Sequence, residues 1–377
     1  MHHRRFPRAL ALLVAVALSV GALAACGGGS RSSTTSGTTG GGSSSSGGTS
    51  ATVALLLPEN KTTRYEAQDK PQFERDLKAL CPNCKIIYSN AGQDASKQQS
   101  QAEAAITNGA RVLVLDAVDA KAAASIVTRA KQSGVGVVSY DRLVQNSAPD
   151  YYVSFDNRRV GELQGRALVD KLRADGSSGS IVMINGAPTD PNAAQFKAGA
   201  HSVIDSSGYR VAKEYDTPEW SPDQAQTEMD QAIAALGRTG FVGVYAANDG
   251  TSGGAIAAMK SAGINPATRP ATGQDAELAG IQRIVAGEQY MTVYKAVKEE
   301  ARAAAQLTME VLNGRTSSSL VNQHVNNGKI NVPSVILTPV AVTVRNIRET
   351  VVRDGYWTVS QICTGSYAAA CTRAGLT

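Results

Sequence analysis

Residues 112–139 read VLVLDAVDAKAAASIVTRAKQSGVGVVS, and this segment predicts the architecture of the chain. Residues 112–115 and 135–139 are apolar runs of the length of a buried strand. Between them, residues 120–133 have the composition of a helix, which Gly134 ends. A buried strand, a helix and a second buried strand in this order predict two parallel strands joined by a crossover helix.

The same alternation extends on both sides of that segment. Further strands are predicted at 52–57, 85–88, 181–184, 210–215, 242–246, 270–273 and 291–294. Further helices are predicted at 94–108, 157–174, 193–206, 222–236, 252–261, 277–286 and 297–312. This order predicts an α/β fold with doubly wound parallel sheets. The roughly 325 residues involved suit two lobes better than one core.

The first 51 residues differ in composition from the rest. Residues 1–8 are basic, and residues 9–25 are apolar or small apart from Ser19 and end at Leu23-Ala24-Ala25-Cys26. This pattern is typical of a secretory signal peptide and resembles the signal of bacterial lipoproteins. We therefore expect residues 1–25 to be a signal peptide and Cys26 to be lipidated, on the extracytoplasmic face of the membrane. An ordinary transmembrane anchor is the alternative, but the run is short for it.

Residues 27–50 contain only Gly, Ser and Thr, apart from Arg31. Such a composition predicts a flexible linker, which with Cys26 we place at residues 26–51.

The charge of the chain argues against a nucleic-acid partner. The whole sequence has 37 basic and 32 acidic side chains, a net charge of +5. Three of the basic residues, Arg4, Arg5 and Arg8, belong to the predicted signal peptide, so the remainder is nearly neutral. A nearly neutral domain lacks the basic footprint of nucleic-acid binding.

Besides Cys26, the chain has Cys81, Cys84, Cys363 and Cys371. An even number of cysteines in an extracytoplasmic protein predicts disulfides, and we expect the local pairs Cys81–Cys84 and Cys363–Cys371. A redox-active Cys81–Cys84 pair and a four-cysteine zinc site are the alternatives. We expect no metal, because nothing in the sequence brings the two cysteine pairs together.

Polar and aromatic side chains follow the predicted strands where the strands end. In open parallel sheets, ligands bind outside the carboxyl ends of the strands. The side chains found there are Arg64, Tyr65, Asp141, Arg142, Asp190, Asn192, Trp220, Asn248, Asp249, Asp275 and Lys295.

This set suits a neutral sugar. Asp, Asn and Arg form paired hydrogen bonds with neighbouring hydroxyls, and the apolar face of a sugar ring packs on aromatic rings such as Trp220 and Tyr65. We expect Asp249 to be a helix N-cap, and Asp141 to hold Arg142 or its own turn. No cofactor is expected, because residues 250–254 lack the Lys-Ser/Thr that follows a phosphate-binding loop.

Several segments resemble the sugar-binding proteins of bacterial ABC transporters, most closely the members that bind D-xylose. These segments are SYDR at 139–142, VSFDN at 153–157, VGELQ at 160–164, ND at 248–249, GGAI at 253–256, GQDAELAGI at 273–281 and MTVYK at 291–295.

The resemblance implies a type I periplasmic-binding fold, in which two lobes are joined by a hinge of three chain crossings. We expect the crossings near residues 153–155, 292–294 and 335–338. The first lobe is then 52–154 plus 293–334, and the second is 155–292 plus 335–356. The tail, residues 357–377, falls outside the family pattern.

The resemblance also implies a function. It predicts a monomeric binding protein, not an enzyme, that takes a monosaccharide and delivers it to an ABC permease. Tyr65 stands where the family has Trp. The implied ligand-binding residues are Arg64, Tyr65, Arg142, Asp190, Asn192, Trp220, Asn248, Asp275 and Lys295.

Other interpretations remain open at this point. The ligand is D-xylose first, with ribose, arabinose and glucose as alternatives. A sensor that presents the sugar to a membrane receptor is a second function. A glycoside hydrolase would need two carboxylates such as Asp190 and Asp275, and a transcription regulator would need a helix-turn-helix where the Gly/Ser-rich linker lies.

Overall fold

The computed structural model describes residues 50–376. The predicted signal peptide, Cys26 and residues 27–49 of the predicted linker lie outside the described residues.

The described chain contains twelve β-strands. They are β1 Thr52–Leu57, β2 Lys85–Asn90, β3 Ala110–Leu115, β4 Gly136–Tyr140, β5 Tyr151–Phe155, β6 Ser180–Asn185, β7 Arg210–Asp216, β8 Gly243–Ala246, β9 Met291–Tyr294, β10 Gln323–Asn326, β11 Asn331–Leu337 and β12 Val340–Thr343.

Eleven α-helices of the described chain connect and cover these strands. They are α1 Lys70–Leu80, α2 Ala95–Thr107, α3 Ala124–Gln132, α4 Asn157–Ala174, α5 Pro191–Ile204, α6 Pro222–Leu236, α7 Asp249–Ser261, α8 Leu278–Ala286, α9 Val297–Leu312, α10 Val359–Ile362 and α11 Ala368–Arg373. A π-helical turn, Tyr65–Asp69, precedes α1.

The strands form three sheets. Each lobe has one mainly parallel sheet, and β9 and β12 form a third, two-stranded antiparallel sheet. The larger sheet has the order β10-β11-β5-β4-β3-β1-β2, and within it the only antiparallel pair is β10 with β11. The smaller sheet has the order β7-β6-β8 and is parallel throughout. The predicted α/β fold with two parallel-sheet lobes is therefore confirmed.

The chain passes between the two sheets three times. It leaves the larger sheet after β5, and α9, which follows β9, packs on α1 and against β3 and β4. It leaves the larger sheet again after β11, because β12 pairs antiparallel with β9. The residue at which each lobe begins or ends stays a prediction.

The prediction of a strand at 270–273 was wrong. This segment forms a single parallel bridge, between Ala271 and Val244. Pro270 has no N–H to donate to a ladder, and it contributes only its carbonyl, which accepts from the Val244 amide at 2.9 Å. Four strands and three helices were not among the predicted elements: β5, β10 to β12, α1, α10 and α11. β10, with the sequence QHVN, has no apolar run that could have identified it.

Both expected disulfides are present. Cys81 and Cys84 are bonded between α1 and β2, and both are buried in the core of the larger-sheet lobe. Cys363 and Cys371 are bonded in the C-terminal segment, which packs on α8. The burial of Cys81 and Cys84 indicates a structural bond rather than a redox-active one.

Glycines allow α4 and α5 to pack with their backbones in close contact. A Cβ atom at Gly161 of α4 would lie 1.9 Å from the carbonyl oxygen of Phe196. A Cβ at Gly199 of α5 would lie 2.0 Å from the carbonyl oxygen of Arg158. Any larger residue would push the helices apart, so these glycines set the position of the first turns of α5.

A buried carboxylate on α7 organises the segment before α8. Asp249 Oδ2 accepts from the Glu277 amide at 2.9 Å and from the Thr292 hydroxyl at 3.0 Å, while Oδ1 accepts from Gln289 Nε2 at 2.6 Å. The expectation that Asp249 caps the helix was wrong. Asn248, whose backbone is extended, is the N-cap, and Thr251 completes a capping box.

Glu277 lies beside Asp249 and connects the lobes. Its Oε1 accepts from the Thr63 amide at 2.8 Å. Burial, with the nearby charges of Asp249 and Asp275, raises the pKa of Glu277 to about 8. Burial likewise raises the pKa of Asp249 to about 7. At neutral pH this carboxyl pair therefore holds at least one proton.

We predict that Glu277→Gln flattens the pH dependence of stability. Between about pH 4.5 and pH 8 the folded state binds a proton at Glu277 that the unfolded chain releases. The free energy of unfolding therefore falls as pH rises through this window, and this contribution is complete only below about 4.5. Glutamine cannot ionise, so the variant should lose less stability from pH 5 to pH 8 in denaturant titrations. Glu103→Gln on the exposed face of α2 is the matched control, and parallel curves for the wild type and Glu277→Gln would contradict the prediction.

Candidate functional site

A cavity lies between the two lobes. Its wall contains eight of the nine predicted ligand-binding residues. It is lined by Thr62, Tyr65, Asp141, Arg142, Asp190, Asn192, Phe196, Trp220, Asn248, Gln274, Asp275 and Lys295.

The parallel topology explains why residues far apart in sequence meet here. Asp141 and Arg142 follow β4, Asp190 precedes α5 after β6, Asn248 follows β8, and Lys295 follows β9. The carboxyl ends of parallel strands meet at one edge of a sheet. With the two lobes facing each other, both edges contribute to one cavity.

Asp190 is held by three different groups. Its Oδ1 accepts from the Asn192 amide at 2.8 Å, as the N-cap of α5. Its Oδ2 lies 3.0 Å from Arg142 Nε and accepts from Trp220 Nε1 at 3.1 Å. Burial raises the pKa of Asp190, and the Arg142 charge opposes that rise. These contacts hold the Asp190 side chain in place without a ligand.

Asp275 lies between two cations. Its Oδ1 is 2.9 Å from Lys295 Nζ and 3.4 Å from Arg64 Nη1. Burial acts to lower the pKa of Lys295, but the charges of Asp275, Asp141 and Glu300 together outweigh burial and raise the pKa. Lys295 therefore stays charged in the cavity wall.

Arg64 is placed behind the cavity wall, not in it. Its Nε and Nη2 donate to both carboxylate oxygens of Asp69, at 2.9 and 2.7 Å. Nη2 also donates to Glu300 at 3.0 Å. Arg64 supports the wall carboxylates Asp275 and Asp141 from the side of the first lobe.

The Asp141 carboxylate bonds neither Arg142 nor its own turn, so that expectation was wrong. Its Oδ2 lies 3.5 Å from Arg64 Nη2 and accepts from the Tyr65 hydroxyl at 3.2 Å. Burial would raise the pKa of Asp141, but Arg64, Lys295 and Arg142 together outweigh burial and lower the pKa to about 2. Asp141 is therefore an ionised acceptor in the cavity wall.

Two aromatic rings form the apolar part of the wall. The rings of Trp220 and Phe196 meet edge to face, with centroids 6.3 Å apart. A Cβ atom at position 186 would lie 2.0 Å from the Trp220 ring, so Gly186 lets the indole rest on the backbone. Tyr65 accepts from Arg142 Nη2 at 3.2 Å and is a polar contact as well as a ring.

Four residues of the wall were not among the predicted ligand-binding residues: Thr62, Asp141, Phe196 and Gln274. Phe196 follows Asn192 by four residues on α5 and so lies on the same helix face, a spacing that could have identified it. Gln274 precedes Asp275 directly. Its Oε1 is buried and has no hydrogen-bond partner among residues 50–376, so it is an acceptor ready for a ligand hydroxyl.

Three wall residues have a left-handed backbone. The φ angles of Asp141, Trp220 and Asp275 are 53°, 54° and 85°. Such conformations cost about 1–3 kcal/mol each and cluster at functional sites. The strained backbone at these three residues is consistent with a conformation that directs their side chains into the cavity.

Residues 50–376 contain no group of three or more His, Cys, Asp or Glu side chains placed to hold a metal ion. None of the helices in this part of the chain combines the length and apolar character needed to span a bilayer.

Comparisons with known proteins agree with this geometry. The family model for the periplasmic binding protein domain matches residues 53–316. The D-xylose-binding periplasmic protein of Escherichia coli K12 is 37% identical over 298 residues, 77% of this chain and 88% of that protein. The multiple sugar-binding periplasmic receptor ChvE of Rhizobium radiobacter is 32% identical over 327 residues, 82% of this chain and 92% of that protein.

A solved structure has the same fold. It is an ABC transporter solute-binding protein from Clostridium phytofermentans with bound β-D-glucose. It superposes with a TM-score of 0.74 and 29% sequence identity, and the match covers 82% of this chain and 99% of that one. The chain described here belongs to the periplasmic binding protein family, and it is a solute-binding protein of the type I fold rather than an enzyme.

Proposed function

We propose that this protein acts outside the cytoplasm, where it binds one monosaccharide in the cavity between its lobes and delivers it to an ABC permease. The observation that carries the proposal is the composition of the cavity wall. Charged and amide side chains, all buried, surround the cavity beside two aromatic rings.

The wall offers both kinds of hydrogen-bonding partner that a sugar needs. Asp141, Asp190 and Asp275 supply fixed acceptors, while Arg142 and Lys295 supply donors. A hydroxyl is donor and acceptor at once. An epimer that leaves one buried wall group unpaired loses about 1–3 kcal/mol of binding free energy. The cavity can therefore discriminate between epimers.

Contacts outside the cavity support a mechanism in which the lobes close over the ligand. Lys61 Nζ lies 2.6 Å from Glu219 Oε2, and Gln93 Nε2 donates to the Glu219 carbonyl at 3.1 Å. The Thr63 amide donates to Glu277. Each contact joins a loop of the larger-sheet lobe to one of the smaller-sheet lobe, so opening about the hinge breaks all three.

D-Xylose is the sugar we propose first. The Escherichia coli relative at 37% identity is named as a D-xylose-binding protein. Xylose lacks the hydroxymethyl group of glucose, so a cavity shaped for xylose would reject glucose sterically. Ribose, arabinose and glucose are the alternatives.

A sensing role is the second candidate, because the Rhizobium radiobacter relative is named a receptor. Uptake of labelled D-xylose by cells with and without the protein separates the two roles. Loss of uptake supports transport, and unchanged uptake supports sensing.

The first prediction from this function is a stability shift with sugars. A ligand that binds only the folded state raises the unfolding midpoint by mass action. In a thermal-shift panel of pentoses and hexoses, D-xylose should raise the midpoint most and at the lowest concentration. L-Xylose is the matched control, since it has the same composition and the opposite configuration. A panel in which no monosaccharide shifts the midpoint would exclude the proposed function.

The second prediction concerns Asp275. Asp275→Asn keeps the shape of the side chain and removes the charge that accepts from Lys295 and Arg64. A hydrogen bond to a charged group is worth about 1.5–3 kcal/mol, so Kd for D-xylose should rise about tenfold or more in calorimetry. Asp230→Asn, on the exposed face of α6, is the control. Equal affinity of the wild type and Asp275→Asn would remove Asp275 from the ligand site.

We also propose that a lipid on Cys26 tethers the protein to the membrane, which the apolar run before it and the Gly/Ser/Thr linker after it support. Each buried CH₂ of an acyl chain contributes about 0.8 kcal/mol to membrane binding. The natural protein should therefore partition into the detergent phase of a Triton X-114 extraction. Cys26→Ala should partition into the aqueous phase. Recovery of both forms in the aqueous phase would rule out the anchor.

A further inference from the structure

Asp275 and Ala276 have a backbone conformation that needs support. Their φ angles are 85° and 49°, so two consecutive residues with a Cβ atom lie in the left-handed region. This region is sparsely populated by such residues and persists where surrounding structure enforces it. The carboxylate in contact with Lys295 projects from the first of the two.

The C-terminal segment supplies one hydrogen bond to each of these residues. The Tyr356 hydroxyl donates to the Asp275 carbonyl at 3.1 Å, and Trp357 Nε1 donates to the Ala276 carbonyl at 2.8 Å. On the amide side, Asp275 donates to the Val293 carbonyl at 2.9 Å. Both carbonyls of the strained pair and the Asp275 amide are therefore hydrogen-bonded.

Tyr356 is itself held in place. It is 5% exposed, and its ring meets the ring of Tyr294 edge to face at 5.1 Å. Its carbonyl accepts from Gln68 Nε2 at 3.0 Å, and Gln68 belongs to the π-helical turn that begins at Tyr65 in the cavity wall. Tyr356 is therefore bonded to Asp275 in one lobe and to Gln68, near Tyr65, in the other.

The segment that carries the two aromatic residues is fastened to the domain. The disulfide between Cys363 and Cys371 closes it, and Ile362 and Cys371 are fully buried against α8. Gln282 Nε2 of α8 lies 3.3 Å from the carbonyl oxygens of Gln361 and Ile362. Chain termini are poorly ordered unless they are tied down, and this one is tied down by a covalent bond and by burial.

From these contacts we infer that Tyr356 and Trp357 are positioning residues for the ligand site. They hold the Asp275–Ala276 backbone in the conformation that directs the Asp275 carboxylate into the cavity, and so set sugar affinity from outside the cavity wall. The inference rests on the proposed function, since it requires that Asp275 contacts the sugar.

Two variants remove one hydrogen bond each and keep an aromatic ring. Tyr356→Phe deletes only the hydroxyl, and Trp357→Phe deletes the indole N–H. Calorimetry with D-xylose should show Kd raised about threefold or more for each. Tyr209→Phe is the matched control, because the Tyr209 hydroxyl donates to the Ser177 carbonyl at 2.8 Å in a part of the chain that does not line the cavity. Its Kd should equal that of the wild type.

A double-mutant cycle separates positioning from general stability. In an Asp275→Ala background there is no carboxylate to direct, so Tyr356→Phe should leave Kd unchanged relative to Asp275→Ala alone. The thermal midpoints of all variants are measured without sugar. An equal rise in Kd in both backgrounds, or a lower midpoint with an unchanged Kd in Tyr356→Phe, would overturn the inference.

Sugar binding by the wild type shows whether the positioning role alone fails or the proposed function fails as well. If the unmodified chain binds D-xylose and Tyr356→Phe and Trp357→Phe bind it equally well, the positioning role is excluded and the proposed function stands. If the unmodified chain binds no sugar of the panel, the proposed function fails and the inference fails with it.

Discussion

The buried charges around the cavity have to be paired, and this requirement shapes the loops that form the site. Arg64, Arg142 and Lys295 are each at most 3% exposed. An isolated charge is very costly to bury, so such groups must be paired and hydrogen-bonded. Asp275 pairs with Lys295 at 2.9 Å and Asp190 with Arg142 at 3.0 Å. Arg142 also donates hydrogen bonds to the Ala117 carbonyl and the Tyr65 hydroxyl. The pairs also fix the carboxylates as acceptors, and a binding site of this kind needs preorganised acceptors.

The same constraint explains the unusual backbone near the site. Charged groups can be paired only if the loops that carry them adopt particular conformations, and Asp141 and Asp275 do so in the left-handed region. Supports outside the wall make these conformations possible. Asp249 bonds the amide of Glu277, and Glu277 in turn accepts from Thr63 of the other lobe. The packing of α4 against α5 through Gly161 and Gly199 places Asn192 and Phe196 in the same way.

Much of the site was predictable because parallel strands follow a simple rule. Short apolar runs identify the strands, and the polar residue after each run marks the edge where ligands bind. Arg142, Asp190 and Asn248 were found in this way, and all three line the cavity. The rule gives the edge of the sheet but not the direction of a side chain. For that reason it placed Arg64 in the wall, although the guanidinium lies behind it and bonds Asp69 and Glu300.

The amino-acid pattern alone was enough to establish the alternation of strands and helices, the two local disulfides and the family resemblance, because each depends on residues close together in the chain. The partners of Asp141 and Asp249, the role of Arg64 behind the wall and the bonds from Tyr356 and Trp357 to Asp275 and Ala276 were decided by tertiary structure. Tyr356 is 81 residues from Asp275, and Arg64 is 236 residues from Glu300. Contacts between residues so far apart in the sequence depend on how the chain folds and how the two lobes close on each other. A local pattern of residues carries no information about them.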